Sequence, residues 1–311
     1  MPDPSLGSLL HVALVVAGLC VFEIVSSIDN AVVNAEVLGT MSPRGRRWFL
    51  VWGLLVAVFL VRGALPWAIV WVVNPSIGPL GALTATLGSD PVAAAAVERS
   101  APVLMAGGGV FLLFLFAHWI FVEPKEFGLW PERFIARQGV WFYAATSFLL
   151  AAIVWEAIHL DIHVAFAAVL GSTAFFITHG FKQNAELAEQ RLIAGGVAMT
   201  DVSKILYLEA IDASFSIDGV LGAFAFTLSI PLILVGNGLG AIVLRRLTIS
   251  GIDRIRSYRL LKNGAMYSIA VLGSVMVLEA FGHHVPTWLA PTSTLGIVGY
   301  FLWRSVRREV G

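Results

Sequence analysis

Apolar runs of about 20 residues, the length an α-helix needs to cross a bilayer, recur along most of this 311-residue chain. Nothing else in the sequence restricts the fold as strongly. The composition agrees: 58% of the residues are hydrophobic and 13% charged, against about 25% charged in ordinary soluble domains. The expected fold is all-α, a polytopic transmembrane helical bundle forming one domain over residues 1–311. No stretch between the runs is long enough for a separate folded domain.

Nine runs qualify as spans: 6–38, 48–70, 101–122, 140–158, 164–179, 205–227, 231–244, 264–281 and 285–303. The first is too long for one straight crossing, so it continues past the membrane or breaks inside it. The positive charge supports the count. Eighteen of the twenty Lys and Arg fall in residues 39–47, 123–139, 180–204, 245–263 and the tail, and the exceptions are Arg62 and Arg99. Nine alternating spans put all five segments on one side. The positive-inside rule makes that side the cytoplasm, with the N-terminus outside and the C-terminus inside a bacterial inner membrane. No Lys or Arg precedes Arg44, so the first run lacks the basic start of a secretory signal and reads as a retained span. Eight of the tryptophans cluster at run ends, where an aromatic belt anchors a bundle.

A zero net charge gives no reason to expect nucleic acid as a partner, and one cysteine, Cys20, excludes an internal disulfide. Protein partners and oligomeric state are not legible, so the bilayer itself is the expected surrounding.

Against this background the acids stand out. The sixth run contains EAIDASFSIDGVLGAF, residues 209–224, with Glu209, Asp212 and Asp218. The first run contains FEIVSSIDNAVVNAEVL, residues 22–38. Shifted by 189 residues, Glu23 falls on Asp212, Ser27 on Ser216 and Asp29 on Asp218. The two runs cross in opposite directions, which is the signature of an inverted repeat, here about 6–122 and 203–303 linked by spans at 140–180. Transporters of that design hold their ligand at the repeat interface near the midplane, often on broken helices.

At about 100° per residue, Glu209, Asp212 and Ser216 share a helix face, and Asp218 lies nearly opposite Glu209. An unbroken helix gives each its own neighbour, whereas a break near Gly219 would bring them together. Each carboxylate facing lipid would cost about 2.5–3.5 kcal/mol, so the acids are expected to face a polar interior. Glu23, Asp29, Asn30, Glu209, Asp212 and Asp218 form a hard oxygen ligand set suited to Mn²⁺, Mg²⁺ or Ca²⁺. Asn34, Ser27, Ser216 and Arg62 are placed to support them. No organic cofactor is implied. His159 and His163 are four apart but sit at an expected external loop, and His118 and His179 lie near cytoplasmic span ends. A haem between two histidines is conceivable without being demanded by any spacing.

The pair SSIDNAVVNAEVL and EAIDASFSIDGVLGAF resembles the tellurium-resistance TerC family of bacterial membrane proteins, in an uncharacterised branch of it. That resemblance implies a transporter architecture shared with LysE-type exporters, and manganese as the cargo. It carries the family's acidic motif positions onto Glu23, Asp29, Glu209, Asp212 and Asp218. The expected function is therefore secondary export of a divalent cation, Mn²⁺ first, and not enzymatic. Two alternatives remain open. One is an intramembrane enzyme using Asp29 and Asp218 as an acid–base dyad. The other is a scaffold that transports nothing, serving envelope stress or metal supply to exported proteins.

Overall fold

A computed structural model of the chain describes residues 6–53, 62–86, 95, 97–125, 129–193 and 200–309. Among these the structure is helical, without strand. The first run forms α1 (Leu6–Ser26) and α2 (Ile28–Gly39), separated at Ser27. A short α3 (Pro43–Trp48) leads into a π-helical turn, Phe49–Gly53. Then come α4 (Arg62–Val73), α5 (Gly78–Thr86), α6 (Ala101–Phe121) and α7 (Trp130–Ala136). The chain continues as α8 (Phe142–Leu160), α9 (Ile162–Ile193), α10 (Asp201–Phe224), α11 (Ile230–Ser257), α12 (Leu261–Ala280) and α13 (Leu289–Glu309).

Six helices among the described residues are long and apolar enough to span a membrane: Gly7–Ser26, Ala101–Phe121, Gly139–Leu160, Ile162–Asn184, Ile230–Thr248 and Leu261–Ala280. The protein is thus a multi-pass helical membrane protein, and three of the nine expected spans are not among the six. Run 205–227 forms α10 and run 285–303 forms α13, but neither qualifies on apolarity alone: α10 carries too many acids, and α13 has too many polar residues between 291 and 294 and around its arginines. Run 48–70 ends its first part in the π-helical turn, residues 54–61 lie outside the described residues, and α4 begins only at Arg62.

A different element takes shape there. Segments Pro66–Val73 and Pro75–Thr84 are together apolar enough for one span but meet at 101°. The cause is Pro75, which disfavours helical backbone at the residue before it. Asn74 is accordingly at φ −126°, ψ 66°. Gly78 then takes φ +66° to start α5, a left-handed conformation favoured at glycine.

The bundle is organised around α6 and α10. α6 is apolar on all sides, as a helix enclosed by others must be, and packs closely on α9 and α12. Hydrocarbon offers no hydrophobic driving force between helices, so close backbone approach through small residues takes its place. The GGG of residues 107–109 supplies it. A Cβ on Gly171 of α9 would stand 2.1 Å from the Gly107 carbonyl oxygen, and one on Gly109 would stand 3.0 Å from that of Gly273 in α12. Phe111 and Phe114 interlock with Phe175 edge-on. Large side chains on the outer face of α8, Phe148 and Trp155 among them, are exposed, as suits a lipid-facing helix.

α10 touches α1, α2, α3, α4, α6, α9, α11 and α12. Its first half joins a small cluster of Ile205 and Leu208 with Val37, Leu38, Met41 and Phe49. Its second half enters the main core through Val220, Ala223 and Phe224. The most acidic helix is therefore packed against neighbours along its whole length. Its N-terminus is tied to the end of α2: Lys204 Nζ donates to the Thr40 carbonyl and hydroxyl at 3.0 Å each, and Ser42 donates to Asp201 through its backbone N–H and its hydroxyl.

Candidate functional site

The break in the first acidic segment falls on Ser27, at φ −101°, ψ 8°. Ser27 does not cap α2. Its hydroxyl instead donates back to the Glu23 carboxylate, at 2.9 Å from Oε1. The hydrogen-bond ladder resumes directly, Ser27 N to Glu23 O at 3.2 Å and Ala31 N to Ser27 O at 3.0 Å. The first run, expected either to continue past the membrane or to break inside it, is thus interrupted at this single residue while its hydrogen-bond ladder continues.

Glu23 is fully buried, and two glycines make room for it. A Cβ on Gly240 of α11 would lie 2.7 Å from both the Cys20 carbonyl oxygen and Glu23 Cβ, and one on Gly219 of α10 would lie 3.2 Å from Glu23 Oε2. The residue thus fits a seam where α1, α10 and α11 meet.

The second segment does not break. α10 is continuous from Asp201 to Phe224, with Gly219 inside it. The role foreseen for Gly219 as a helix break is corrected: its missing side chain admits Glu23. With the helix intact, Glu209 and Asp218 point to different neighbours, as the 3.6-residue repeat requires. Glu209 faces the π-helical turn and α11. A Cβ on Gly53 would stand 2.2 Å from Glu209 Oε1 and 3.3 Å from Arg245 Nη2. Arg245 reaches across from α11, donating to the Phe49 carbonyl at 2.7 Å with its guanidinium 4.4 Å over the Phe49 ring.

Asp218 faces α9, where its Oδ2 accepts from Lys182 Nζ and both side chains are 13% exposed. Sequence reading put Lys182 and Arg245 in cytoplasmic loops. Both lie instead within helices that continue past the expected span ends, α9 and α11. α9, at 32 residues, reaches about 48 Å and outlasts the roughly 30 Å hydrocarbon core. The acids are therefore not a cluster of uncompensated negatives. Cations on two neighbouring helices offset part of their charge.

The side chains of Asp29, Asn30 and Asp212, and that of Arg62 at the start of α4, lie outside the described parts of the structure, so their mutual placement is not defined. Among the described residues no three His, Cys, Asp or Glu side chains come together in a metal-binding group. Ser216 is buried. Among the described residues, the buried polar atoms with no hydrogen bond include Asp218 Oδ1, Asn34 Oδ1 in α2 and both amide atoms of Asn237 in α11, besides Glu132 Oε1 and Thr294 Oγ1 elsewhere. The helices that carry Asn34, Asp218 and Asn237, α2, α10 and α11, pack on one another. Asn237, 1% exposed, was not singled out from sequence. Its signal is a lone amide within the GNGLG of a membrane helix, three residues before the glycine that admits Glu23.

The histidines resolve into two unlike pairs. α8 ends at Leu160 and α9 starts at Ile162, so His159 and His163 do not share a helix. Asp161 between them accepts from His163 N and meets His163 Nδ1, each at 2.8 Å. These contacts hold the exposed Asp161 carboxyl below its usual range. His118 and His179 do meet, with ring centroids 4.0 Å apart. In this arrangement the two rings pack against each other.

At the same end Lys125 lies over the Trp119 ring, 3.6 Å from its centroid, and burial pushes its ammonium down to about 8. Glu132, expected in a loop, is fully buried. Its Oε2 accepts from Leu129 N and from Asn263 Nδ2 at 2.7 Å each, pinning α7 to α12.

A multi-pass helical bundle with acids enclosed at the centre defines a class of membrane protein and leaves the lineage open. Over residues 28–310 the chain matches the family described as "Protein of unknown function (DUF475)", and it belongs to that family. The resemblance to the TerC family is corrected by this match, for no TerC match accompanies it. The motifs behind the resemblance are a few acids at fixed spacing within apolar helices, a pattern too short to separate one helical membrane family from another. No curated protein and no solved structure matches the chain.

Proposed function

We propose that this protein is a secondary transporter of a divalent cation, with Mn²⁺ the first ion to test and Mg²⁺ and Ca²⁺ the alternatives of the same hard class. The observation that carries the reading is the set of buried oxygens left without donors, Asp218 Oδ1, Asn34 Oδ1 and Asn237 Oδ1, on helices that meet where Glu23 is fully buried. An unsatisfied buried polar atom costs roughly 1–3 kcal/mol, and one recurring reason for keeping such atoms is an ion that they bind. The oxygens among these atoms are the donor type a hard cation takes, although the Asn237 amide nitrogen is unpaired as well.

In this reading Glu23 and Asp218 are ligands from the two acidic segments, joined by Asp29, Asn30, Glu209 and Asp212. Lys182 holds Asp218 in the cation-free state, and the arriving ion displaces its ammonium. The acidic segments belong to two inverted repeats within nine spans, and rocking of one repeat against the other exposes the ion to each side in turn. The setting is a bacterial inner membrane, with the N-terminus outside and the C-terminus in the cytoplasm.

The test is flux of Mn²⁺, Mg²⁺ and Ca²⁺ in proteoliposomes made with wild type, Glu23→Gln and Asp218→Asn. The reading expects flux of at least one of these ions, and a loss of tenfold or more in each variant that still shows a wild-type elution profile. Equal flux in all three proteins, or none in wild type, would refute it.

A further inference from the structure

The segment after α2 carries three arginines, and the structure divides their work. Arg46 is committed to the fold. Its Nε donates to the Leu38 carbonyl at 3.0 Å, and Nη2 reaches those of Gly39 and Met41 at 3.4 Å, closing the C-terminal end of α2. Arg44 and Arg47, three apart on α3, are exposed, and no described acid or acceptor pairs with either. With Pro43, Trp48 and Trp52 they line a cavity of about 370 Å³. Trp48 is 49% exposed and Trp52 55%.

Two unpaired guanidiniums and two half-exposed indoles around one cavity form a mixed surface. A guanidinium fork matches the oxygens of a phosphate, and indoles rest at headgroup depth in a bilayer. Among the described residues the lining holds no acid, so the indole faces are all it offers to the ammonium of a zwitterionic headgroup. The two positive charges favour an anionic one. Trp48 opens an apolar run in the sequence, and in the proposed nine-span topology the cavity lies where that run leaves water for lipid. A soluble anion would use the arginines and leave the indole walls idle.

We propose that this cavity binds the phosphate of an anionic phospholipid. Arg44 and Arg47 hold the phosphodiester oxygens, and Trp48 and Trp52 flank the glycerol and the first carbons of the acyl chains.

Native mass spectrometry of the full-length protein in detergent, titrated separately with phosphatidylglycerol and phosphatidylcholine, tests this. Wild type retains phosphatidylglycerol in preference to phosphatidylcholine. Arg44→Ala/Arg47→Ala weakens phosphatidylglycerol binding on the order of 20-fold and leaves phosphatidylcholine unchanged. Arg44→Lys/Arg47→Lys, which keeps the charge and loses the fork, falls in between. Arg133→Ala/Arg137→Ala removes the same charge from two other exposed arginines and leaves binding as in wild type. A large excess of inorganic phosphate does not displace the lipid. The proposal fails if the Arg133/Arg137 control loses as much as the Arg44/Arg47 variant, because the effect is then bulk charge. It fails if phosphatidylcholine binds equally well. It fails if inorganic phosphate displaces the lipid, which would make the cavity a site for soluble anions.

Discussion

Lys182 of α9 and Asp218 of α10 form an ion pair inside the bundle, each 13% exposed. Removing one partner of a buried pair leaves the other charged and unmatched, typically a loss of about 3–5 kcal/mol, whereas removing both is far milder. Lys182→Met is therefore expected to lower thermal stability in detergent strongly, and Lys182→Met/Asp218→Asn to recover most of the loss. A double-mutant cycle of melting temperatures measures the coupling. Additive effects would mean that the pair is not formed in the membrane protein.

Glu23 depends on absent side chains, and the two glycines that admit it are not equivalent. The Cβ of Gly240→Ala meets a backbone carbonyl at 2.7 Å, while that of Gly219→Ala meets only the Glu23 carboxylate at 3.2 Å. Overpacking typically costs about 1–3 kcal/mol. Gly240→Ala is expected at the upper end and Gly219→Ala near or below the lower one. Comparing their unfolding midpoints decides the order, and the reverse order would contradict the packing described for α1 and α11.

Lys125 predicts a pH dependence of definite sign. Its ammonium titrates at about 8 in the folded chain against 10.5 ordinarily, chiefly because burial disfavours the charged form. Between those values the unfolded chain keeps a proton that the folded chain has released, so stability contributed by this group rises with pH over that window. Lys125→Leu flattens the rise. Acylation of Lys125, followed by peptide mapping, should reach half its maximal rate near pH 8, two units below an ordinary lysine.

Asp201 predicts the opposite dependence. Hydrogen bonds from the Ser42 hydroxyl and backbone N–H hold its carboxyl below 3.8. A depressed carboxyl stabilises the fold above its ordinary pKa and loses that effect as pH falls through the folded one. Hydrogen exchange in residues 40–48 should therefore accelerate below about pH 4. Ser42→Ala should show the faster exchange already at neutral pH. Unchanged exchange in that variant would mean that Asp201 does not hold the turn.

How far the sequence disclosed this molecule differs from residue to residue. Apolar run length made the spanning helices legible, since length and hydropathy are local properties. That the first run exceeds one crossing was legible, but not whether it would continue or break, nor that the interruption falls at Ser27. The partners of the acids were not. Lys182 reads as a loop cation as long as α9 is assumed to stop at the membrane surface, and nothing in its neighbours marks where a helix leaves lipid. The bend at Asn74–Pro75 falls beyond the run 48–70, in a stretch where no span was expected. Glu132 looked like a surface acid, since its partners, Leu129 N and Asn263, become apparent only once α7 folds back on α12. Helical periodicity did place Asp218 away from Glu209, and α10 obeys that geometry without a break.

The contact between Gly107 and Gly171 bears on how such a chain can diverge. The two helices touch through their backbones there, and a methyl on Gly171 would sit 2.1 Å from a carbonyl oxygen. Phe148 and Trp155, by contrast, are exposed on the outer face of α8, and another apolar residue in either place would cost little. Tolerance to change then runs opposite to size. As related sequences drift apart, the bulky residues that dominate the composition lose their resemblance first. The spacing of a few glycines is the record of common descent that lasts longest.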